Sequence, residues 1–328
     1  MHFLPTGEQS DFARTLHDLL GAADVPAAVR AWGCGDHGPG RALWGRLART
    51  GLFALAADEE YDGAGLLPLE LSLGFVELGR AGVPGPAVET AAASVLLSGL
   101  GDGAQAKRFL PGLVAGEASA TLTLPGGSPY ALDADAATYR FAVSEAGELR
   151  LAGDGPGGLL ASTDPARRLS LPAPGGELLA SGPRVVAAAE SAGRWARLLT
   201  AAQCLGVGES LLARTVGYAK QRTQFGTPIG GFQAVKHRLA DTLLGLEFAR
   251  PLLWAAALSL EAGDVAAAKL TAGEAAYASA MTALQLHGAV GYTQELDLSL
   301  WLRKARPLRD AWGTPAQCRA AVLRARVR

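Results

Sequence analysis

Residues 221–241, QRTQFGTPIGGFQAVKHRLAD, gather the groups in this chain best able to hold an anion. An apolar-periodic run ends at Gln221, the chain turns through Gly226, Pro228, Gly230 and Gly231, and a second periodic run opens at Phe232. Such a turn leaves backbone N–H groups without intrahelical partners at the start of the second helix, where the helix dipole also favours negative charge. Arg222 lies beside it, and Lys236 and His237 follow one turn later. A phosphate or pyrophosphate suits that setting. A plain glycine–proline connection with solvated charges fits it as well, because turn chemistry carries no ligand code.

The elements that must position this turn are helical. Leu205, Leu212, Val216 and Ala219 keep spacings of seven, four and three, a buried seam that ends next to Arg222. The next run, from Phe232 to about Ala262, contains Pro251, which costs an unkinked helix about 3 kcal/mol and predicts a bend. Asp264 is placed to cap a third helix over 265–287.

At 328 residues the chain has room for two or three domains. Its 30 basic and 31 acidic side chains give no electrostatic case for nucleic acid or a membrane surface. Cys34, Cys204 and Cys318 lie far apart without a paired spacing, so they read as buried thiols in a reducing cytoplasm. His2, His17, His37, His237 and His287 make no helical pair, which argues against a metal. No run reaches the roughly 18 apolar residues of a membrane span.

The composition divides the chain three ways. Residues 1–118 read as helical, with breaks near 33–40, 58–66 and 82–86. From 119 to 184 short runs of Thr, Leu, Val, Tyr and Phe alternate between turn residues, predicting strands at 120–124, 139–143, 148–152 and 168–171. Residues 185–328 are helical again and read as a bundle.

The words in these segments resemble the acyl-CoA dehydrogenase family. Its central signature is matched by Arg222, Phe225, Gly226, Pro228, Ile229, Phe232, Gln233, Lys236, His237, Leu239, Ala240 and Asp241. The resemblance implies a mainly α fold with a small β-domain: an N-terminal helical domain, a middle β-domain and a C-terminal four-helix bundle that forms oligomers. It also gives Arg222 and Phe225 the pyrophosphate and adenosine side of an FAD shared across a subunit interface. A second word, QLHGAVGYT from Gln285, is similar to the family's Q-x-x-G-G-x-G-Y segment, and makes Gln285 and Gly288 contacts to a neighbouring subunit's FAD. Ala289 stands where the family has its second glycine, so its methyl group crowds the adenosine end. A helix end at Gly288 and a turn at Gly291 would also account for these glycines.

Two departures from the family bear on function. No tryptophan falls between Pro125 and Glu190, where the family has the strand that backs the flavin ring, so the platform is reduced or built from other residues. The family's chemistry, α,β-desaturation of an acyl-CoA thioester, also needs a glutamate base. One base position is matched by Trp312 within Ala311-Trp312-Gly313-Thr314, and the other, preceding Arg197, by Ala196. Neither side chain accepts a carbon-bound proton. Asp310 and Glu190 are the nearest substitutes, at least two residues out of register, about 200° around a helix.

This combination is similar to the short, non-catalytic subunit of heteromeric acyl-CoA dehydrogenases of bacterial steroid side-chain and related β-oxidation. The expectation is a cytoplasmic protein with no catalytic residue of its own, whose Arg222, Phe225, Gln285 and Gly288 complete the FAD site of a longer catalytic partner acting on an acyl-CoA. Two other readings stand beside it: a self-sufficient FAD enzyme with a relocated base such as Asp310, and an assembly or regulatory protein without flavin.

Overall fold

A computed structural model describes residues 4–153 and 158–327; His2 lies outside them. The N-terminal segment holds α1 (Gly7–Gly21), α2 (Val25–Gly33), α3 (Gly38–Ala48), a two-residue ladder of β1 (Ala56–Ala57) with β2 (Gly65–Leu66), then α4 (Pro68–Ala81), α5 (Ala87–Gly99) and α6 (Gly103–Val114). Thr6 and Gln9 form a reciprocal capping box that starts α1. Every residue of α5 from Ala87 to Leu97 is buried, so this helix is the axis of the segment, and its one carboxylate, Glu89, is buried with it.

The middle segment holds β3 (Ala120–Thr123), β4 (Ala131–Leu132), β5 (Tyr139–Val143), β6 (Glu148–Leu151), β7 (Leu169–Ser170) and β8 (Glu177–Ser181). Four of these form one sheet in the order β3-β5-β6-β8, with β3 parallel to β5 and the other two pairings antiparallel. β4 pairs with β7 in a separate two-stranded ladder. The alternation at 120–124, 139–143, 148–152 and 168–171 thus marks real strands. β4 and β8 are additional: β4 is only two residues long, and β8, ELLAS, is an edge strand without the β-branched or aromatic residues that announce one.

The C-terminal segment begins with α7 (Pro183–Gln221), 39 residues and on the order of 58 Å long. A hairpin of β9 (Thr223–Gln224) and β10 (Thr227–Pro228) leads to α8 (Gln233–Ser259), α9 (Ala262–His287), α10 (Leu298–Asp310) and α11 (Pro315–Arg326). α9 packs against α7, α8, α10 and α11. α8 runs through Pro251 as a single helix. Its end and the next start correct the expected cap: Leu260 turns left-handed at φ 51°, Glu261 is the extended N-cap residue of α9, and Asp264 sits in the first turn, accepting from Ser259 Oγ at 2.8 Å. Cys204 and Cys318 are buried as expected, but Cys34, in the turn that ends α2, is exposed. Among the described residues no helix is long and apolar enough to cross a membrane.

The first and third segments are joined by backbone contact between α4 and α7. A Cβ on Gly206 of α7 would lie 1.9 Å from the carbonyl oxygen of Val76, and a Cβ on Gly79 of α4 would lie 2.2 Å from that of Gln203. On its other side α7 meets α8 and α9 at Gly208, where a Cβ would lie 2.5 Å from Leu246 Cδ2 and 3.2 Å from Ala276 Cα. Gly206→Ala is therefore expected to lower unfolding stability by about 3 kcal/mol, seen as a reduced urea midpoint at unchanged slope. Gly217→Ala on the same helix meets nothing within 4 Å and should be neutral or stabilising by up to about 1 kcal/mol. Equal shifts for the two variants would refute the close crossing.

Candidate functional site

The predicted site residues fall into two places, one open and one sealed. At the open place, α7 ends at Arg222, which is exposed and whose backbone N–H donates to Tyr218 O. The β9–β10 hairpin turns through Phe225 and Gly226, with φ of 54° and 80°, the double left-handed pair of a two-residue type I′ turn. Such turns favour Asn, Asp or Gly in the first position and Gly in the second, and here the first is an aromatic residue 94% exposed at the tip. Phe225 meets Phe232 edge-on at 6.3 Å, and Ile229 N–H closes the hairpin on Arg222 O at 2.8 Å. Phe232 precedes the first turn of α8 and no side chain caps that turn. Lys236 and His237 are exposed beside it.

The second word ends α9 at the same end of the bundle. Tyr218, one turn before Arg222, stacks on His287 at 4.1 Å, and its hydroxyl reaches His287 O at 3.5 Å. His287 is buried and its Nδ1 lies 2.8 Å from Ala283 O; burial lowers its pKa, so the ring is a neutral structural link between the two words. Gln285 and Gly288 are exposed. Gly288 has φ 61° and ψ −139°, a conformation that requires glycine, and a Cβ there would meet nothing within 4 Å, so its outer face is open to a ligand.

At the sealed place, Ala196 is fully buried in α7 and Trp312 is 7% exposed. Trp312 adopts φ 56°, and the segment around it is pinned by four donors. Arg197 Nε donates to Trp312 O at 2.9 Å, and Lys269 Nζ donates to Arg309 O at 2.7 Å and Gly313 O at 3.3 Å. Cys318 Sγ reaches Gly313 O at 3.6 Å, and Trp312 Nε1 donates to Glu89 Oε1 at 2.9 Å. A Thr314–Gln317 capping box then starts α11.

The expected base substitutes line the two clefts that Trp312 borders. Asp310 pairs with Arg306 on the same helix at 3.2 Å, its side chain 40% exposed, and Glu190 is exposed on α7. Glu89 was not signalled by any motif, and it is the carboxyl group that the fold brings against the Trp312 indole. Its signal was a lone acid within AVETAAASVLLS, a helix with no other charged residue. Burial pushes its pKa up, opposed by Arg167 and by the Trp312 N–H, and its Oε2 has no hydrogen-bond partner.

Trp312 borders three spaces, and Glu89, Leu132 and Arg167 border two of them with it. Inward, between α4, α5, α7 and α10, lies a small cavity of about 20 Å³ lined by Leu78, Val83 and Leu308 and by the charged side chains of Glu89, Asp133, Arg167 and Lys304. Outward lie a cleft of about 460 Å³ between the sheet and α7, which includes Glu190 and Arg197, and one of about 330 Å³ that includes Arg167 and Asp310. Among the described residues no group of three His, Cys, Asp or Glu side chains could hold a metal.

The architecture defines a class: helical domains on either side of a small sheet, with an open, glycine-bearing edge at one end of the C-terminal bundle. Family profiles described as the acyl-CoA dehydrogenase N-terminal and C-terminal domains match residues 6–117 and 186–325. The chain is 35% identical over 304 residues to acyl-CoA dehydrogenase IpdE2 of Mycobacterium tuberculosis, covering 92% of each protein. Butyryl-CoA dehydrogenase from Megasphaera elsdenii shares the fold with a TM-score of 0.85 at 24% identity over the full length of both chains. The steroid ACAD Tcur3481-Tcur3483 shares it at 0.84 and 24%, over 98% of both. The chain belongs to the acyl-CoA dehydrogenase family.

Asp133 lines the small cavity, and its burial raises its pKa from 3.8 to about 7. The folded state thus holds a proton that the unfolded chain has released, so stability falls as pH rises from about 4 through about 7. Asp133→Asn, which keeps an acceptor for Arg168 N–H, is expected to remove that slope. Urea unfolding at pH 8 should then show the variant more stable than the parent by on the order of 2 kcal/mol, with a smaller difference at pH 4. A pH-independent difference would exclude Asp133 as the titrating group.

Proposed function

We propose that the chain is the cofactor-completing, non-catalytic subunit of a heteromeric acyl-CoA dehydrogenase that desaturates an acyl-CoA thioester. The observation that carries this reading is the pair of base positions: Ala196 and Trp312 are both buried, and neither can take a proton from carbon. A longer partner subunit supplies the glutamate. On this reading 1–118, 119–184 and 185–328 are the family's helical domain, a reduced β-domain and the bundle.

FAD, when bound, supplies the acceptor for the hydride that leaves the β-carbon. The open edge of this chain fits the pyrophosphate and adenosine half of that cofactor. Arg222 offers a fixed positive charge beside the uncapped first turn of α8, Phe225 an exposed ring face, and Gly288 a backbone open to close approach. Gln285 adds an exposed amide on the same edge. For the flavin ring the chain offers no tryptophan platform, since its six tryptophans are Trp32, Trp44, Trp195, Trp254, Trp301 and Trp312. The ring belongs to the partner's site.

The partner also has a surface to bind. Leu244, Phe248 and Leu252 line up at four-residue spacing on α8, 53%, 69% and 40% exposed, with Leu243 and Met281 nearby in exposure. An apolar stripe of that kind marks an interface. The likeness to a two-component steroid ACAD supports a heteromeric assembly and a steroid-derived acyl-CoA as its substrate class.

Flavin per chain decides the reading. The pure chain saturated with FAD should retain none after desalting, whereas the complex with a longer relative should carry about half a flavin per total chain. One flavin per pure chain would overturn the proposal. Arg222→Ala should lower flavin content of the complex without dissociating it, and Phe248→Asp should prevent assembly, read by sedimentation; an intact complex carrying Phe248→Asp would place the interface elsewhere.

A further inference from the structure

A groove of about 500 Å³ lies where the end of α1 and the start of α2 meet α4, α7 and α10. It shares no residue with the spaces around Trp312 or with the edge at Arg222, and it has the size of a small-molecule site. Leu20, Val25, Pro26, Ala81 and Ala213 give it apolar walls. The fold fixes its shape. α4 and α7 touch at backbone level at Gly79 and Gly206, and Trp301 of α10 is buried with its Nε1 donating to Arg80 O at 2.9 Å.

The charges along this groove leave one cation over. Glu77 accepts from Arg80 Nε at 3.0 Å and lies 2.9 Å from His17 Nδ1, and the far end of Arg80 is taken by Glu209. Arg214 makes no ion pair among the described residues. Its guanidinium lies over the Trp301 ring at 3.7 Å, its Nε donates to Ser210 Oγ at 3.2 Å, and Asp297, the carboxylate that acts on it, is paired with Arg30 at 2.5 Å. Both Nη groups of Arg214 are left to donate. The Ser210 hydroxyl accepts the Arg214 bond, so its own proton is available as well. These donors stand one turn apart on α7, beside the apolar walls.

We propose that this groove binds an organic monocarboxylate, its carboxylate on the Arg214 Nη groups and the Ser210 hydroxyl and its hydrocarbon body against Leu20, Val25, Pro26 and Ala213. A planar carboxylate matches the guanidinium fork. One surplus positive charge suits a monoanion, whereas a phosphate dianion would also face the Glu77 carboxylate in the same groove. The Trp301 face holds the guanidinium in place before any ligand arrives, which lowers the cost of ordering it. Arg222 lies eight residues further along α7, about 12 Å away, so the two anion sites are separate and this inference does not rest on the flavin reading.

The test is calorimetric titration of the full chain with octanoate, naphthoate, the neutral octanol and acetate. Octanoate or naphthoate is expected to bind once per chain, octanol roughly tenfold or more weakly, and acetate not measurably. Arg214→Gln should weaken the acid by roughly tenfold to a hundredfold and leave octanol unchanged. Arg214→Lys, which keeps the charge without the fork, should recover part of that loss. A role for Arg214 confined to packing on Trp301 would instead weaken acid and alcohol alike, with no recovery by lysine. Ala213→Trp fills the groove while leaving Arg214 in place, and it should abolish binding. Acid and alcohol bound equally well overturn the proposal, as does octanoate bound at wild-type strength by Arg214→Gln or Ala213→Trp. Failure of both acids to bind at millimolar concentration overturns it too. The acid–alcohol comparison in the wild type and the Ala213→Trp result decide the matter even if Arg214→Gln does not fold. Flavin per chain is measured separately, so failure here leaves the partner-subunit reading to stand or fall on its own result.

Discussion

The crossing of α4 and α7 at backbone contact is the constraint on which the rest of the molecule depends. Two helices ordinarily stand about 8–10 Å apart with side chains between them. Here the carbonyls of Val76 and Gln203 occupy the places where the Cβ atoms of residues 206 and 79 would be. The space left between these helices is correspondingly thin, and any side chain reaching into it from elsewhere takes up most of it. A chain of ion pairs locks the same crossing: Glu77 and Arg80 on α4, Glu209 on α7 and Arg250 on α8. Such partly buried pairs add little net stability, but each fixes the rotation of the helix that carries it.

Much of the remaining interior polarity is spent on one loop. Lys269 is almost completely buried in α9, where an ammonium group would be strongly unfavourable unless carbonyls surround it. The C-terminal end of α10 provides them, and there the helix dipole also favours a cation. Arg197 closes on the Trp312 carbonyl, and Cys318 shares the Gly313 carbonyl with Lys269. Together they hold a tryptophan in a left-handed backbone conformation, which costs of order 1–3 kcal/mol and persists only where the surroundings over-determine it.

How much of this could be read from the sequence depended on what kind of contact was involved. Arg222, Phe225, Gln285 and Gly288 stand out as words at fixed spacing, and the helical seam ending at Ala219 delivers them to one end of the bundle. The link between the words, Tyr218 stacked on His287, spans 69 residues and belongs to no local pattern. Glu89 and Trp312 meet across 223 residues, so their pairing is invisible to periodicity; only the isolation of one acid in an apolar helix hinted at it. The cap of α9 went to Glu261 rather than Asp264 because Leu260 already ends α8 in a left-handed turn, which leaves Glu261 extended. Both acids are plausible caps by type, and only backbone geometry chooses between them. β8 escaped notice for a similar reason, since an edge strand is held by its neighbour more than by its own residue types.

The two ends of the site are built in opposite ways, and the difference bears on what the chain can do by itself. At Trp312 the unfavourable backbone is offset within the chain, by burial and by hydrogen bonds from three other elements. At Phe225 it is not: the ring is 94% exposed, and its one ring contact among the described residues is the edge of Phe232. An aromatic residue in that conformation gains from the hairpin's twist alone, which a glycine would supply at lower cost. Its large apolar face acquires a stabilising role only when something covers it, and the exposed stripe on α8 is in the same position. The strained backbone at one end of the molecule is thus held from within the chain, while the exposed ring at the other gains a partner only from what docks against it.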